Sequence, residues 1–463
     1  MALFTALSFV LYLVGVSGRI AVFLASVCAM CAVLLGAHAL GTLRRDDRGA
    51  SEETGWKGMF VAAAAVIAAA LQVAFAAWLA VRTPFSAVDA WSFWILKARM
   101  FALGGPRPGY FRDPLTLHTH PDYPLNVPLA AAAFLRVPGQ AGVALAALIG
   151  PACLAALLLL LYGGLTRLYG RLTAALAVVT LSVVPEAPVQ AASGNVDIPL
   201  ALYVGATALY LLLWWRLRRP VDAVLMGLLA GGAAWTKKEG LPIALLLLGA
   251  YALGEVWRWH ATRSAAKILW RVALRRAAAV LAAAIVLPLP WTLFSHLTHP
   301  LARDFLPFTL AGFLAHAGRL PHIVAMFLLQ PLAFENWSLF WVVLAALLIA
   351  AARRLTPAAY GLLLLLLCQE GVYVISFVFS DWQPYTAHVR TSLDRLLMQA
   401  VPLALLLMVE TVHALCLRAR SGMVPAHAAP GDPGPEKDRG CYALGVSSGT
   451  ANLLQTLPGD RRA

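Results

Sequence analysis

Charge is what this sequence lacks. Only 13% of its 463 residues are Asp, Glu, Lys or Arg, roughly half the share usual in a soluble domain. With 61% apolar residues and a mean hydropathy of +0.76, that scarcity excludes a water-soluble fold, which could not hide so much apolar surface. Period-two alternation is missing too. The apolar runs at 152–162 and 244–253 are continuous, which excludes a β-barrel and leaves helices to satisfy the backbone in lipid. Cysteine is sparse, with six scattered residues and no disulfide framework. Cys28 and Cys31 form a CxxC inside an apolar run. Three residues apart on a helix they share a face, which reads as packing rather than redox or metal chemistry. The N-terminus has no basic leader followed by a small-residue cleavage site. It reads as a retained membrane hairpin, not a cleaved signal.

What is present is a series of long apolar segments. The pattern predicts an all-α, polytopic transmembrane helical bundle. Spans are expected near 3–18, 20–41, 58–82, 141–163, 172–188, 196–215, 221–236, 240–257, 277–297, 335–352, 357–379 and 396–415. Three parts follow: a hairpin and loop over 1–57, a transmembrane catalytic domain over 58–415, and a disordered cytoplasmic tail over 416–463. That tail is rich in Pro, Gly and polar residues. Basic residues outnumber acidic ones, 36 to 22. Placing the loop 42–57 in the cytoplasm puts Arg167, Arg171, Arg216, Arg218, Arg219, Arg353, Arg354 and the basic stretch Arg258–Arg276 on the same side, as the positive-inside rule requires. Long loops at 83–140 and 298–334 then face the other way.

Those outer segments hold the distinctive residues. Asp89, Trp91, Phe93, Trp94, Lys97 and Phe101 read as an interfacial helix in the first non-cytoplasmic loop. Trp91, Trp94, Ala98 and Phe101 form one stripe, while Asp89, Phe93 and Lys97 form another. It is either an anchor capped by Asp89 or one wall of a cavity. His118, His120 and Asp122, followed by Tyr123, could ligate a metal or order a loop over the site. Asn195 and Asp197 sit at a helix start, where Asp197 is either a cap or a polar wall. Lys237, Lys238 and Glu239 occupy a tight turn. The lysines either meet a phosphate or snorkel and pair with Glu239. Arg390 and Arg395 open the last span, where an intramembrane arginine needs protein, water or an anion beside it. Glu370, mid-span, reads as a hydrogen bond within the bundle.

In order along the chain, these features resemble the GT-C superfamily of integral-membrane glycosyltransferases. The nearest group is glycosyltransferase family 39 and its Rgt-like members, relatives of protein O-mannosyltransferases and the lipid A aminoarabinose transferase. The residues that carry the resemblance are Asp89 with its aromatic helix, Tyr123-Pro124-Leu125, Gly194 to Pro199, Lys237 to Gly240 and Ser392 to Arg395. The resemblance implies a GT-C type bundle, a polyprenyl-phosphate sugar donor and an acidic base in the first outer loop, matched by Asp89. Many members follow that aspartate with a second acid, where this chain has Ala90 and Trp91. The chain also carries two extra expected spans ahead of the family's usual first one.

The chemistry agrees. A phosphodiester leaves without a strong acid, so one carboxylate base and several cations suffice, unlike the carboxylate pair of glycosidases. Asp89 is the expected catalytic base, and direct attack would invert the anomeric centre. Lys97, Lys237, Lys238, Arg390 and Arg395 are candidates for donor phosphate. Trp91, Trp94, His118, His120, Asp122, Tyr123, Asn195, Asp197 and Glu239 are candidates for the cavity lining. No metal ligands are assigned and no cofactor is required, with a divalent metal left open. Expected partners are the lipid-linked donor, membrane lipids and a lipid, glycan or protein acceptor, with no nucleic acid. The expected location is a bacterial inner membrane with the site facing the periplasm or exterior. The alternative is a polytopic transporter or lipid flippase, which predicts paired broken helices in two repeats. No such symmetry is evident here.

Overall fold

The computed structural model describes residues 1–15, 56–105, 108–261, 266–301 and 304–422. The span at 20–41, Cys28 and Cys31, most of the 42–57 loop and all but the first residues of the tail lie outside the described residues. Among those described there are helices and no strands, apart from one isolated bridge between Phe305 and Ser380.

The helices that shape the site are α1 (Ala2–Leu13), α2 (Trp56–Arg82), α3 (Ile95–Ala102), α4 (Asn126–Leu135), α5 (Ile149–Ser182), α6 (Glu186–Ala192), α7 (Asp197–Leu217), α8 (Pro220–Ala234), α9 (Gly240–Ala261), α10 (Ala266–Val286), α11 (Leu289–Thr298), α12 (Pro357–Val378) and α13 (Tyr385–Gly422). Met1–Leu417 form one unit. Helix α7 runs through its centre, buried along almost its whole length. Local chemistry sets the ends. Pro220 and Pro357 occupy first-turn positions, where a missing N–H costs nothing. The Thr356 hydroxyl accepts from Ala359 N at 3.0 Å, capping α12.

Seven helices among the described residues are long and apolar enough to cross a membrane, or eight if α10 and α11, bent by 58°, make one span. Hydropathy gives twelve, of which eleven fall on described residues and one, 20–41, does not. Helix α1 has 12 residues, about 18 Å, which is short of a hydrocarbon core of about 30 Å. Helix α8 and Phe340–Ala351 are likewise short apolar helices. Conversely, Leu310–Leu332 qualifies as a span although it falls in the expected outer loop 298–334. His316, Arg319 and His322 dilute its hydropathy and hide it.

Helix α5 is broken at Gly170 (φ 84, ψ 169). As a straight rod its 34 residues would extend about 51 Å. Yet Gly150, near its start, packs on the backbone of Ala191, just beyond its end. The chain therefore reverses at Gly170, and Gln72 of α2 holds the returning arm by donating to Leu181 O at 3.2 Å. Close helix packing depends on small residues. Gly227 and Gly231 of α8 lie against the backbone of Val280 and Ala284 in α10, the small-xxx-small pattern of membrane interfaces. Gly205 of α7 makes room for Pro402 inside α13.

At the end of α7 away from Asp197, Glu410 is completely buried. It takes both Arg216 Nη2 contacts, at 2.9 and 2.8 Å, and also accepts from Tyr169 and from Thr356 at 3.2 Å. Four helices are tied through one carboxylate. Glu410→Ala strands Arg216 and Tyr169. Breaking a buried pair costs about 3–5 kcal/mol, discounted here because the Arg216 side chain is 36% exposed. A loss of roughly 2–3 kcal/mol is expected. Thermal unfolding in detergent, with and without the substitution, checks this, and an unchanged midpoint contradicts it.

Candidate active site

Three short segments meet at the Asp197 end of α7. The first is the loop after α2, which leads through a π-helical turn, Ala90–Trp94, into α3. The second is the loop 193–196 between α6 and α7. Ala87 N donates to Ser193 O at 3.2 Å and joins the two. Gly194 (φ 83) lies against Phe85 and Ala90, where any Cβ would clash. The third is the turn 235–239, closed by Gly240, which packs on the carbonyl of Ala233. Helix α1 braces this turn. Trp235 Nε1 donates to Thr5 Oγ1 at 2.9 Å, Thr5 donates to Asn126 Oδ1 at 2.7 Å, and Asn126 Nδ2 reaches Thr236 Oγ1 at 2.8 Å.

These segments, with 304–308, α12 and the start of α13, enclose a cavity of about 920 Å³. Its charges are paired. Asp89 Oδ2 takes the Arg395 guanidinium. Lys238 pairs with Asp122. Lys237 lies 3.0 Å from Asp197 Oδ1 and 3.0 Å from Glu239 Oε1. Burial opposes the Lys237 charge, but Asp197 and Glu239 outweigh it and hold the ammonium above its ordinary range. Burial lowers Lys238, against the pull of Glu239 and Asp304. Asp197 does not act as a helix cap. The cap position is Val196, and the Asp197 carboxylate takes Lys237 and, at 2.6 Å, Gln399 Nε2.

Most sequence candidates converge here. Asp89, Trp94, His120, Tyr123, Asn195, Asp197, Lys237, Lys238, Glu239 and Arg395 line the cavity. Five candidates sit outside the lining, among them Asp122, which pairs with Lys238. Trp91 is 59% exposed, because the π turn adds a residue and rotates it off the Trp94, Ala98 and Phe101 stripe. Arg390 and His118 are exposed and away from the lining. Lys97 is buried behind the wall, 1% exposed. It donates to His120 O and lies over the Trp94 and Tyr123 rings at 5.4 and 5.7 Å. Burial drives its ammonium well below the ordinary range, and Lys238 adds to this. It is a strut under the His120 loop more than a free phosphate ligand. His118, His120 and Asp122 do not converge, since His118 points out and Asp122 turns to Lys238. Among the described residues no three His, Cys, Asp or Glu side chains form a metal-binding group. Glu370 does not make the hydrogen bond expected of it. Both of its oxygens are buried without a partner.

Several cavity residues were not foreseen. Asp304 (φ 81) accepts from Trp382 Nε1 at 2.9 Å, and its other oxygen lies 3.3 Å from His120 Nδ1. No motif marks it. Gln190 and, behind it, Glu186 belong to α6. The expected span 172–188 swallowed Glu186, although Pro185 and Pro188 signal a break. His388, by contrast, is one of the distinctive residues read at the start of the last span, and it is stacked on Trp382 at 4.6 Å and bonded to Ser380.

The described residues form an all-helical membrane bundle with a charged cavity at the Asp197 end of α7. Residues 122–291 match the model of a family described as dolichyl-phosphate-mannose-protein mannosyltransferase. No curated protein and no solved structure matches the chain. The matched stretch holds Asp122, Tyr123, Asn195, Asp197, Lys237, Lys238 and Glu239, while Asp89 and Arg395 flank it. Members of that family are membrane glycosyltransferases that use lipid-phosphate-linked sugar donors. The match spans 170 of the chain's 463 residues, and over them the chain is similar to that family, which favours a membrane glycosyltransferase over the transporter alternative.

Burial lowers His120 from 6.5 to about 4, with Asp304 pulling the other way. The folded protein therefore binds fewer protons than the unfolded chain between those values. Stability from this group is complete above pH 6.5 and is lost as pH falls toward 4. The apparent unfolding temperature of wild type should drop across that window, and His120→Gln should flatten the slope. Identical slopes contradict this assignment.

Proposed function

We propose that the cavity transfers a sugar from a polyprenyl-phosphate donor to an acceptor hydroxyl at the non-cytoplasmic face, with Asp89 as the base. The observation that carries this reading is the Asp89–Arg395 pair in the cavity wall. It sets the base beside a cation that can take leaving-group charge.

The acceptor oxygen attacks the anomeric carbon as the bond from that carbon to the phosphate oxygen breaks. Asp89 takes the acceptor proton. The electron pair stays with the polyprenyl phosphate, which gains a negative charge. Arg395 and Lys238 stand where that charge can be met. Lys237, already shared by two carboxylates, chiefly orients Asp197 and Glu239. In-line attack inverts the anomeric centre. The lining also includes the apolar residues Leu306, Pro307, Phe308, Val372, Phe377 and Leu396. These side chains suit the lipid chain of the donor. The arginines of the basic connectors lie at the other end of the helices, which supports a site facing away from the cytoplasm. A periplasmic face of a bacterial inner membrane fits that arrangement.

Asp89→Asn removes the base and keeps the volume. Turnover should fall by about 10²–10⁴-fold, while Asp89→Glu should retain part of it. Donor consumption in lipid nanodiscs, followed by mass spectrometry, measures both. Full turnover by Asp89→Asn would overturn the assignment of the base.

A further inference from the structure

The end of the bundle away from the cavity carries a second cluster of charge. Glu255, in the last turns of α9, is shared by three guanidiniums. Arg218, just past the end of α7, lies 3.4 Å from its Oε1. Arg258 of α9 and Arg276 of α10 lie 3.1 and 3.7 Å from its Oε2. Arg218 and Arg276 also lie over the ring of the buried Trp214, at 5.4 and 4.6 Å. Elements from three helices hold these cations together. Arg353 and Arg354, in the connector before α12, are simply exposed.

Sharing one carboxylate packs like charges side by side. Burial and the Arg258 guanidinium lower Arg218, Glu255 pulls the other way, and Arg276 lowers it further. A further anion would relieve that crowding, and it can reach the cluster. The side chains of Arg218 and Arg258 are 38% and 37% exposed. Guanidiniums suit phosphate, which they hold through paired N–H donors.

The surroundings point to what carries the phosphate. Helix α9 qualifies as a membrane span through His260, so Arg258 stands at its boundary. Trp257 and Trp259, on either side of it, are exposed, as tryptophans are at headgroup level. Leu253 and Val256 of α9 and Val272 and Leu274 of α10 are exposed as well. They give acyl chains an apolar surface on the same two helices. Basic pockets between membrane helices hold the headgroups of anionic lipids.

We propose that Arg218, Arg258 and Arg276 form a binding site for the headgroup phosphate of an anionic phospholipid. The lipid ties the end of α7 to α9 and α10. None of these residues lines the cavity, so the site is independent of the reaction there.

Native mass spectrometry of the full chain in detergent, titrated with phosphatidylglycerol or phosphatidylcholine, counts the bound lipid. Wild type should bind phosphatidylglycerol about tenfold more tightly or better. Combining Arg218→Gln with Arg258→Gln should weaken that binding by about fivefold for each cation removed. Combining Arg353→Gln with Arg354→Gln should leave it as in wild type. Equal binding of the two lipids by wild type overturns the proposal, and that result decides even where the cluster variant fails to fold. Undiminished binding by the cluster variant overturns it too. Equal loss in both double variants does the same, because it marks general surface attraction. Displacement of the lipid by inorganic phosphate at equal concentration would mark a free-anion site and overturn the lipid assignment.

Discussion

Charge pairing in a low-dielectric setting governs this molecule. An isolated ion at the depth of these helices is costly, so each must find an opposite charge or a dipole. Asp89 has Arg395, Lys238 has Asp122, Lys237 is shared by Asp197 and Glu239, and Arg216 is held by Glu410. Each pair joins elements far apart in sequence. The Asp89–Arg395 contact joins the first loop to the last span, and Lys237–Asp197 joins α7 to the turn before α9. The pairs that neutralise the charges also assemble the site.

The same constraint shapes how an anionic substrate would enter. The cations are already satisfied, so a phosphate must compete with carboxylates instead of filling an open positive hole. Lys238 is the most exposed of the three, with a side chain 42% exposed against 18% for Arg395 and 8% for Lys237. It is the easiest to redirect. Arg395 can serve a phosphate while releasing Asp89 to accept a proton. Lys237 has two carboxylates to satisfy and is the hardest to move. Its network continues inward, because Gln399 bridges Asp197 to Tyr373 at 2.6 and 2.7 Å.

Much of this was legible in the sequence because lipid enforces simple rules. Continuous apolar runs revealed α2, α7, α9 and α12, and charged residues at the ends of those runs marked Asp197, Lys237, Lys238, Glu239 and Arg395. Three things were not legible. Depth is one. Hydropathy cannot tell a short helix wedged among others, such as α1, from a span, nor recognise Leu310–Leu332 through its histidines and arginine. Local winding is another, since the π turn at Ala90–Trp94 moved Trp91 off the face that strict helical spacing gave it. The last is convergence. Asp304, Gln190 and Glu186 carry no motif, and only the fold brings them to the cavity. Arg390 and His118 show the reverse error, with suggestive residue types on the right segments that point elsewhere.

The most direct test of the central claim is the stereochemistry of transfer. Wild-type protein in lipid nanodiscs would be given a polyprenyl-phosphate sugar labelled with carbon-13 at its anomeric carbon, together with an acceptor panel. The anomeric coupling constant of the product would then be read by NMR. A single-step displacement with Asp89 as base predicts a product of inverted configuration. Retained configuration would require a covalent intermediate or a second displacement, and would contradict the account.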